Sequence, residues 1–250
     1  LQNHKKLSHV SPKYADGKGN LVHNEILLRL PLEERETLFS RLEFVRLNAG
    51  AVLHEPGDTL KSAYFCNAGL FSMLTVFSNG KTVEGGLVGR EGFIGLPLVA
   101  GFHTAATRLV VHTDATAFRV DGQALPTLLK QCSQLERRLQ QFSQLLAMQV
   151  TQIVACNRMH EVTERLARWL LMSADKIDSN LPFTQEALSQ VLGTRRSSIT
   201  KSVADLERAG AIAPSRANVA IINRERLEKS ACECYATMKR QVKEWESNVE

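Results

Sequence analysis

From Phe44 to about Val120, short apolar runs alternate with turn residues, as in "AGAVLHEPGDTL", "SAYFCNAGLFSMLTVFSNGKTV" and "RLVVHTDATAFRV". Runs of this length and spacing predict antiparallel strands in a sandwich or barrel, a jelly roll among them, and Asn79-Gly80 between two runs predicts a hairpin. Ahead of them, "NEILLRLPLEERETLFSRL" has a helical texture that Pro31 breaks into two short helices. Residues 1–20 are polar, carry Lys5, Lys6, Lys13 and Lys18, and predict a mobile tail.

Beyond Leu125 the period changes. Cys132, Leu135, Leu139, Phe142, Leu146, Gln149 and Ile153 recur at alternating steps of three and four, a heptad seam with one polar position at Gln149. Such a stripe covers either a partner helix or the helix's own domain. Its length, and flanks rich in Gln, Ser and Arg, predict pairing of two copies through Leu135, Leu139, Phe142, Leu146, Gln149 and Ile153. A second amphipathic helix, "HEVTERLARWLLMSADKI", follows a bend between Cys156 and His160, and "DSNLP" ends it.

The last region carries the candidate chemistry. "TQEALSQVLG" predicts a short helix closed by Gly193, where a positive φ is cheap. "RRSSITKSVADLERAG" predicts the next helix, with Thr194 as N-cap. Ile199, Val203 and Leu206 share its inward face, leaving Arg196, Ser197, Thr200 and Lys201 outward. No acid precedes Asp205, although a helix N-terminus favours negative charge. A helix that leads with cations and hydroxyls suits an anionic surface. Arg and Lys can donate to guanine O6 and N7, and Ser and Thr to base edges or phosphates. "AIAPSRANVAIIN" then predicts a two-stranded wing with Arg216 at its turn. Together these make a winged helix-turn-helix.

Composition narrows the class only modestly. The 250 residues are 44% hydrophobic and 23% charged, with a net charge of +5, which permits an anionic partner without requiring one. The most apolar stretch, Gly92 to Phe102, is short and broken by Gly95, Pro97 and Gly101, so no membrane span is predicted. Five scattered cysteines argue against a disulfide framework and fit a reducing cytoplasm. No Walker or dinucleotide glycine loop and no His-rich metal motif occurs, which disfavours an enzyme.

The order of elements, with "VGREGFIGLPL", "RLARWLL" and "LSQVLGTRRSSITKSVADLERAGAI", resembles the Crp/Fnr superfamily of bacterial transcription regulators over about residues 24–222. The resemblance implies an α+β fold: an N-terminal antiparallel β-roll (a jelly roll like cyclic-nucleotide-binding domains), a long dimerisation helix and a C-terminal winged helix-turn-helix. The corresponding boundaries are a tail at 1–20, an effector domain at 21–125, the dimerisation helix at 126–156, and a DNA-binding domain with a C-terminal helix at 157–250. It also implies a homodimer on palindromic double-stranded DNA, with RNA polymerase a candidate further partner. By motif position, Arg196, Ser197, Thr200 and Lys201 match the base-reading face. Gln185 and Ser198 match phosphate contacts, and Arg195 and Arg216 join the DNA-binding set.

The effector side departs from the family. Cyclic-AMP-binding members are similar in a Gly-Glu-apolar-Gly cassette followed by Arg-Ser/Thr-Ala. Here the cassette is Gly92-Phe93-Ile94-Gly95, Thr104 stands near the expected arginine, and Arg108 is out of place. Gly92, Phe93, Gly95, Thr104 and Arg108 therefore mark an effector pocket of unknown ligand that does not answer to cyclic AMP. A ligand- or redox-sensing module with weak DNA binding is the alternative. No cofactor or metal is predicted, since Cys232 and Cys234, two apart, diverge on a helix and two thiols make a poor zinc site. His160, near the bend, is the histidine to watch.

Overall fold

The computed structural model describes residues 14–177 and 179–247. Two short helices lead, α1 (Glu25–Leu28) and α2 (Leu32–Phe39), with Pro31 as the N-cap of the second. Asn24, wholly buried, joins them to the strands that follow: its Oδ1 caps α1 at Leu27 N, and its amide donates to the carbonyls of Cys66 and Gly92 at 2.8 Å each.

Eight strands follow: β1 (Glu43–Leu47), β2 (Val52–His54), β3 (Ser62–Ala68), β4 (Phe71–Val76), β5 (Thr82–Val88), β6 (Phe93–Ile94), β7 (Arg108–Val111) and β8 (Ala115–Asp121). They form two antiparallel sheets, β1-β8-β3-β6 and β2-β7-β4-β5, packed as the expected roll. Gly80 turns the β4–β5 hairpin with φ +78°, as Asn79-Gly80 predicted. Inside lie Phe65, Phe71, Phe93 and Phe118. A short helix, α3 (Leu96–Val99), sits between β6 and β7.

α4 (Leu125–Gln131) leads into α5 (Ser133–Met159), a helix of 27 residues and about 40 Å. The Glu34 carboxylate accepts from Gln134 N at 2.9 Å and Leu135 N at 3.0 Å, holding the start of α5. After the break at His160 come α6 (Val162–Lys176), β9 (Asn180–Leu181), α7 (Gln185–Val191), α8 (Arg196–Arg208), β10 (Ile212–Pro214), β11 (Val219–Ile221), α9 (Arg224–Ser230) and α10 (Cys234–Ser247). The wing has three strands, in the order β10-β11-β9; its third, β9, falls where "DSNLP" suggested only a break.

Two expectations are corrected. Residues 14–20 are folded: Tyr14 packs on Phe39, Ala15 bridges Leu21, and Asp16 accepts from Lys18 and Asn20. The rest of the expected tail, residues 1–13, lies outside the described residues. The heptad seam faces inward. Leu135, Leu139 and Phe142 belong to the core of the roll, and Gln149 and Ile153 are buried too. Cys132 is not on α5 but caps it, and Leu146 lies half-buried over Gly86. A 3-4 apolar stripe states which face of a helix is covered, not what covers it. Here the cover is the chain's own roll and α10, whose Trp245 packs on Phe142 at 5.9 Å.

The two halves share a core. Leu70, Leu74 and Leu87 of the roll join Trp169, Phe183, Val191, Ile199 and Leu206 in one apolar cluster. The Trp169 indole N–H donates to Glu84 Oε1 at 2.9 Å, Thr82 donates to the Gln190 carbonyl at 3.2 Å, and Lys176 is paired with Glu91.

Candidate nucleic-acid interface

α8 shows the segregation its sequence predicts. Ile199, Val203 and Leu206 are buried, while Arg195, Arg196, Ser197, Thr200 and Lys201 are exposed and Ser198 is half-buried. The N-cap is Arg195, not Thr194, and no side chain caps the first turn. Thr194 belongs instead to the inter-helix turn, its backbone N–H donating to the Ser189 carbonyl at 3.1 Å. Gly193 makes that turn with φ +59°, and a Cβ there would stand 3.0 Å from Val83. With no acid and no cap, the first-turn N–H groups and two guanidinium groups leave this end of α8 positive.

Gln185, half-buried at the start of α7, accepts from Thr200 Oγ1 at 2.7 Å; the hydroxyl also lies 3.1 Å from the Arg196 carbonyl. The two predicted contacts are thus one coupled pair. At the wing, Ser215 and Asn218 close the turn through a 2.7 Å backbone bond and leave Arg216 and Ala217 exposed at the tip. The leading turn of α8 opens onto a groove of about 1200 Å³ whose other wall is the β4–β5 hairpin, with Asn79, Lys81 and Thr82 facing Arg195, Arg196 and Ser198. Lys81 was not singled out from sequence; only the fold brings it beside α8.

The effector cassette is closed by its own side chains. Phe93 is 1% exposed and packs on Phe65 at 4.7 Å between ring centres. Gly95 holds φ +114°, and a Cβ there would meet Ala63 at 2.5 Å. A Cβ on Gly92 would strike Val88 and Phe142. Arg108 is bound through Nε to both oxygens of Glu55, at 2.9 and 2.8 Å, and Thr104 only bridges Thr59.

Behind the interface runs a buried polar chain. His112 Nε2 lies 2.8 Å from Ser72 Oγ, Ser72 is bonded to Glu84, and Glu84 receives the Trp169 N–H. Burial pushes the Glu84 carboxyl up, and the bonds from Ser72 and Trp169 oppose that. Burial alone draws His112 down to about 4.

A second constellation lies at the hinge. Cys232 and Cys234 were expected to diverge on a helix, but Cys232 lies in the link between α9 and α10 and Cys234 is the first residue of α10, so helical periodicity does not separate them. Their sulfurs meet Cys156 and His160, and one ligand atom from each of the four lies within 4.8 Å of the others. Hydrogen bonding from Cys232 draws the Cys156 thiol well below its ordinary range, with Arg168 and His160 acting in the same direction. All five cysteines are free thiols.

Comparison with known proteins agrees with this architecture. The family model for the cyclic nucleotide-binding domain matches residues 44–132, and that for the Crp-like helix-turn-helix domain matches 164–230. Among solved structures, a putative crp/fnr-family regulator from Eubacterium rectale aligns with TM-score 0.66 at 14% identity, covering 87% of this chain and 99% of its own. FixK2 from Bradyrhizobium japonicum aligns with TM-score 0.65 at 14% identity, covering 76% and 98%. The c-di-GMP-responsive regulator CLP of Xanthomonas campestris aligns with TM-score 0.60 at 16% identity, covering 77% and 100%. No curated protein matches the sequence. Among the described residues, no helix is long and apolar enough to cross a membrane.

Proposed function

The chain belongs to the Crp/Fnr superfamily of transcription regulators, and on that premise we propose that it acts as a homodimer on a palindromic DNA site, reading bases with α8. One observation carries the reading: a helix apolar on one face presents arginines, hydroxyls and a lysine on the other, with no acid in its first turn. Arg196 and Lys201 read base edges. Arg195, Ser198 and the coupled Gln185–Thr200 pair hold phosphates or fix register, and Arg216 grips the backbone from the wing.

The pairing surface is the outer face of α5. Gln140, Gln144, Ala147, Thr151, Val154 and Arg158 keep heptad spacing, and all are exposed. Val154, 65% exposed, gives this face an apolar residue in the half nearest the hinge. A second copy across a two-fold axis there sets two α8 helices roughly 34 Å apart, one duplex turn.

A selection from random DNA, run in parallel on the wild type and on Arg196→Ala and Lys201→Ala, tests base reading. Each variant is expected to lose about 1–3 kcal/mol and to relax preference at one position per half-site. Arg216→Ala is expected to weaken all sequences alike and reduce the salt slope by about one. Identical preferred sites, or no symmetric site, would sink the reading.

Cyclic AMP is not the effector. A buried cyclic phosphate needs a cation to pair with, and Arg108, close to the cassette in sequence, is already bound to Glu55, while Phe93 fills the position of a ribose-binding acid. Calorimetry is expected to show no binding of cyclic AMP or cyclic GMP at micromolar concentrations; a micromolar dissociation constant would overturn this.

A further inference from the structure

We propose that Cys156, His160, Cys232 and Cys234 form a tetrahedral site for one divalent metal ion of the zinc class, placed at the hinge between α5 and α6. Cys156 and His160 are four apart at the end of α5 and so share a face. Cys232 comes from the link before α10, and Cys234 is the first residue of that helix. Cys156 Sγ lies 3.5 Å from Cys232 Sγ, and Cys234 Sγ lies 3.6 Å from His160 Nδ1. An ion with bonds of about 2.3 Å to sulfur and about 2.0 Å to nitrogen sets tetrahedral edges of about 3.8 Å between sulfurs and about 3.5 Å from sulfur to nitrogen. These two pairs stand close to the spacing that one ion sets, and all four ligand atoms lie within 4.8 Å of one another. A grouping within 4.8 Å leaves no room for an iron–sulfur cluster between the ligands.

Three further contacts fit a metal rather than a chance meeting of thiols. Glu233 Oε2 lies 3.1 Å from His160 Nε2, the outer carboxylate that orients a ligating imidazole through its other nitrogen. The Gln152 amide donates to Cys234 Sγ at 3.0 Å, as to a thiolate. Arg165 and Arg168, 9% and 2% exposed, lie within electrostatic reach of the cluster, and the Nε of each has no hydrogen-bond partner among the described residues. Three thiolates, one imidazole and a divalent ion carry a net charge of −1, which balances a buried guanidinium. Three thiolates with one imidazole form a closed structural ligand set. The ion would tie α10 and the end of α9 to the last turn of α5, fixing the hinge on which the DNA-reading half is hung.

The full-length chain, purified and kept reduced, is stripped with chelator and titrated with cobalt(II), then with zinc. The expected result is about one equivalent per protomer, with the thiolate-to-cobalt charge-transfer and tetrahedral d–d absorption of a three-sulfur site, bleached by zinc. Cys156→Ser and Cys234→Ser are each expected to lower metal affinity at least ~10-fold, and Glu233→Gln to lower it less while keeping the spectrum. Less than about one-tenth of an equivalent bound by the reduced wild type would overturn the proposal, as would a cobalt spectrum without thiolate charge transfer or unchanged binding in both serine variants. Should a serine variant fail to fold, the wild-type stoichiometry and spectrum decide alone.

Discussion

Trp169→Ala is expected to destabilise the whole chain by about 3–5 kcal/mol, a larger loss than surface substitutions bring. The indole is 1% exposed, meets Phe183 edge-on at 4.8 Å between ring centres, and approaches His112 at 6.4 Å. Its removal leaves a cavity between the roll and the DNA-reading half. It also takes a donor from Glu84, a buried carboxylate whose other bond is to Ser72. Chemical denaturation of the purified protein measures the loss; a change under about 1 kcal/mol would mean that the two halves are not joined here. The same chain makes stability sensitive to acid. His112 titrates near 4 in the folded protein, while an unfolded histidine does so near 6.5. Between those values the unfolded chain binds more protons, so the His112 contribution, about 3 kcal/mol at full extent, is lost as pH falls through that window. Glu84, pushed upward, acts with the opposite sign. His112→Gln isolates the first effect: its stability between pH 6.5 and 4 is expected to fall less steeply than that of the wild type.

The second large effect concerns the proposed dimer. Ala147→Asp with Val154→Asp places like charges on the exposed face of α5 and is expected to yield folded monomers. A monomer engages one half-site where a dimer engages two, so affinity for a symmetric site is expected to drop about 10²–10⁴-fold. Leu139→Asp behaves differently. Leu139 is wholly buried in the roll's core, so a charge there is expected to unfold the chain rather than separate one copy from the other. Sedimentation and thermal melts on the two variants distinguish the faces: dissociation by the Leu139 change with the fold intact would return the dimer to the inward seam.

The helix-turn-helix was legible because its signals are local: a glycine at the turn, apolar positions at 199, 203 and 206, and cations opposite. The roll was legible from strand spacing and one Asn-Gly turn. What covers α5 was not, because coverage depends on where a distant C-terminal helix returns, and nothing in the stripe encodes Trp245. The cysteine cluster failed for a related reason. Treating Cys232 and Cys234 as helical put them on different faces, but Cys232 precedes the helix that Cys234 opens, and their partners lie more than seventy residues away. Glu84 offered a signal that was passed over, since it shares a face with Thr82 and Gly86 in a strand whose alternation points that face inward.

The apolar cluster shared by the roll and the DNA-reading half makes the two ends of the molecule answerable to each other. Val83 stands against the turn before α8, and Leu70, Leu74 and Leu87 lie under the same residues that support it. If DNA draws α8 away from the β4–β5 hairpin, it draws on the cluster that joins Leu70, Leu74 and Leu87 of the roll to the helix-turn-helix. By thermodynamic reciprocity, whatever factor an effector imposes on DNA affinity, DNA imposes on the effector. For any ligand the roll holds, affinity then differs between a molecule free in solution and one seated on its DNA site.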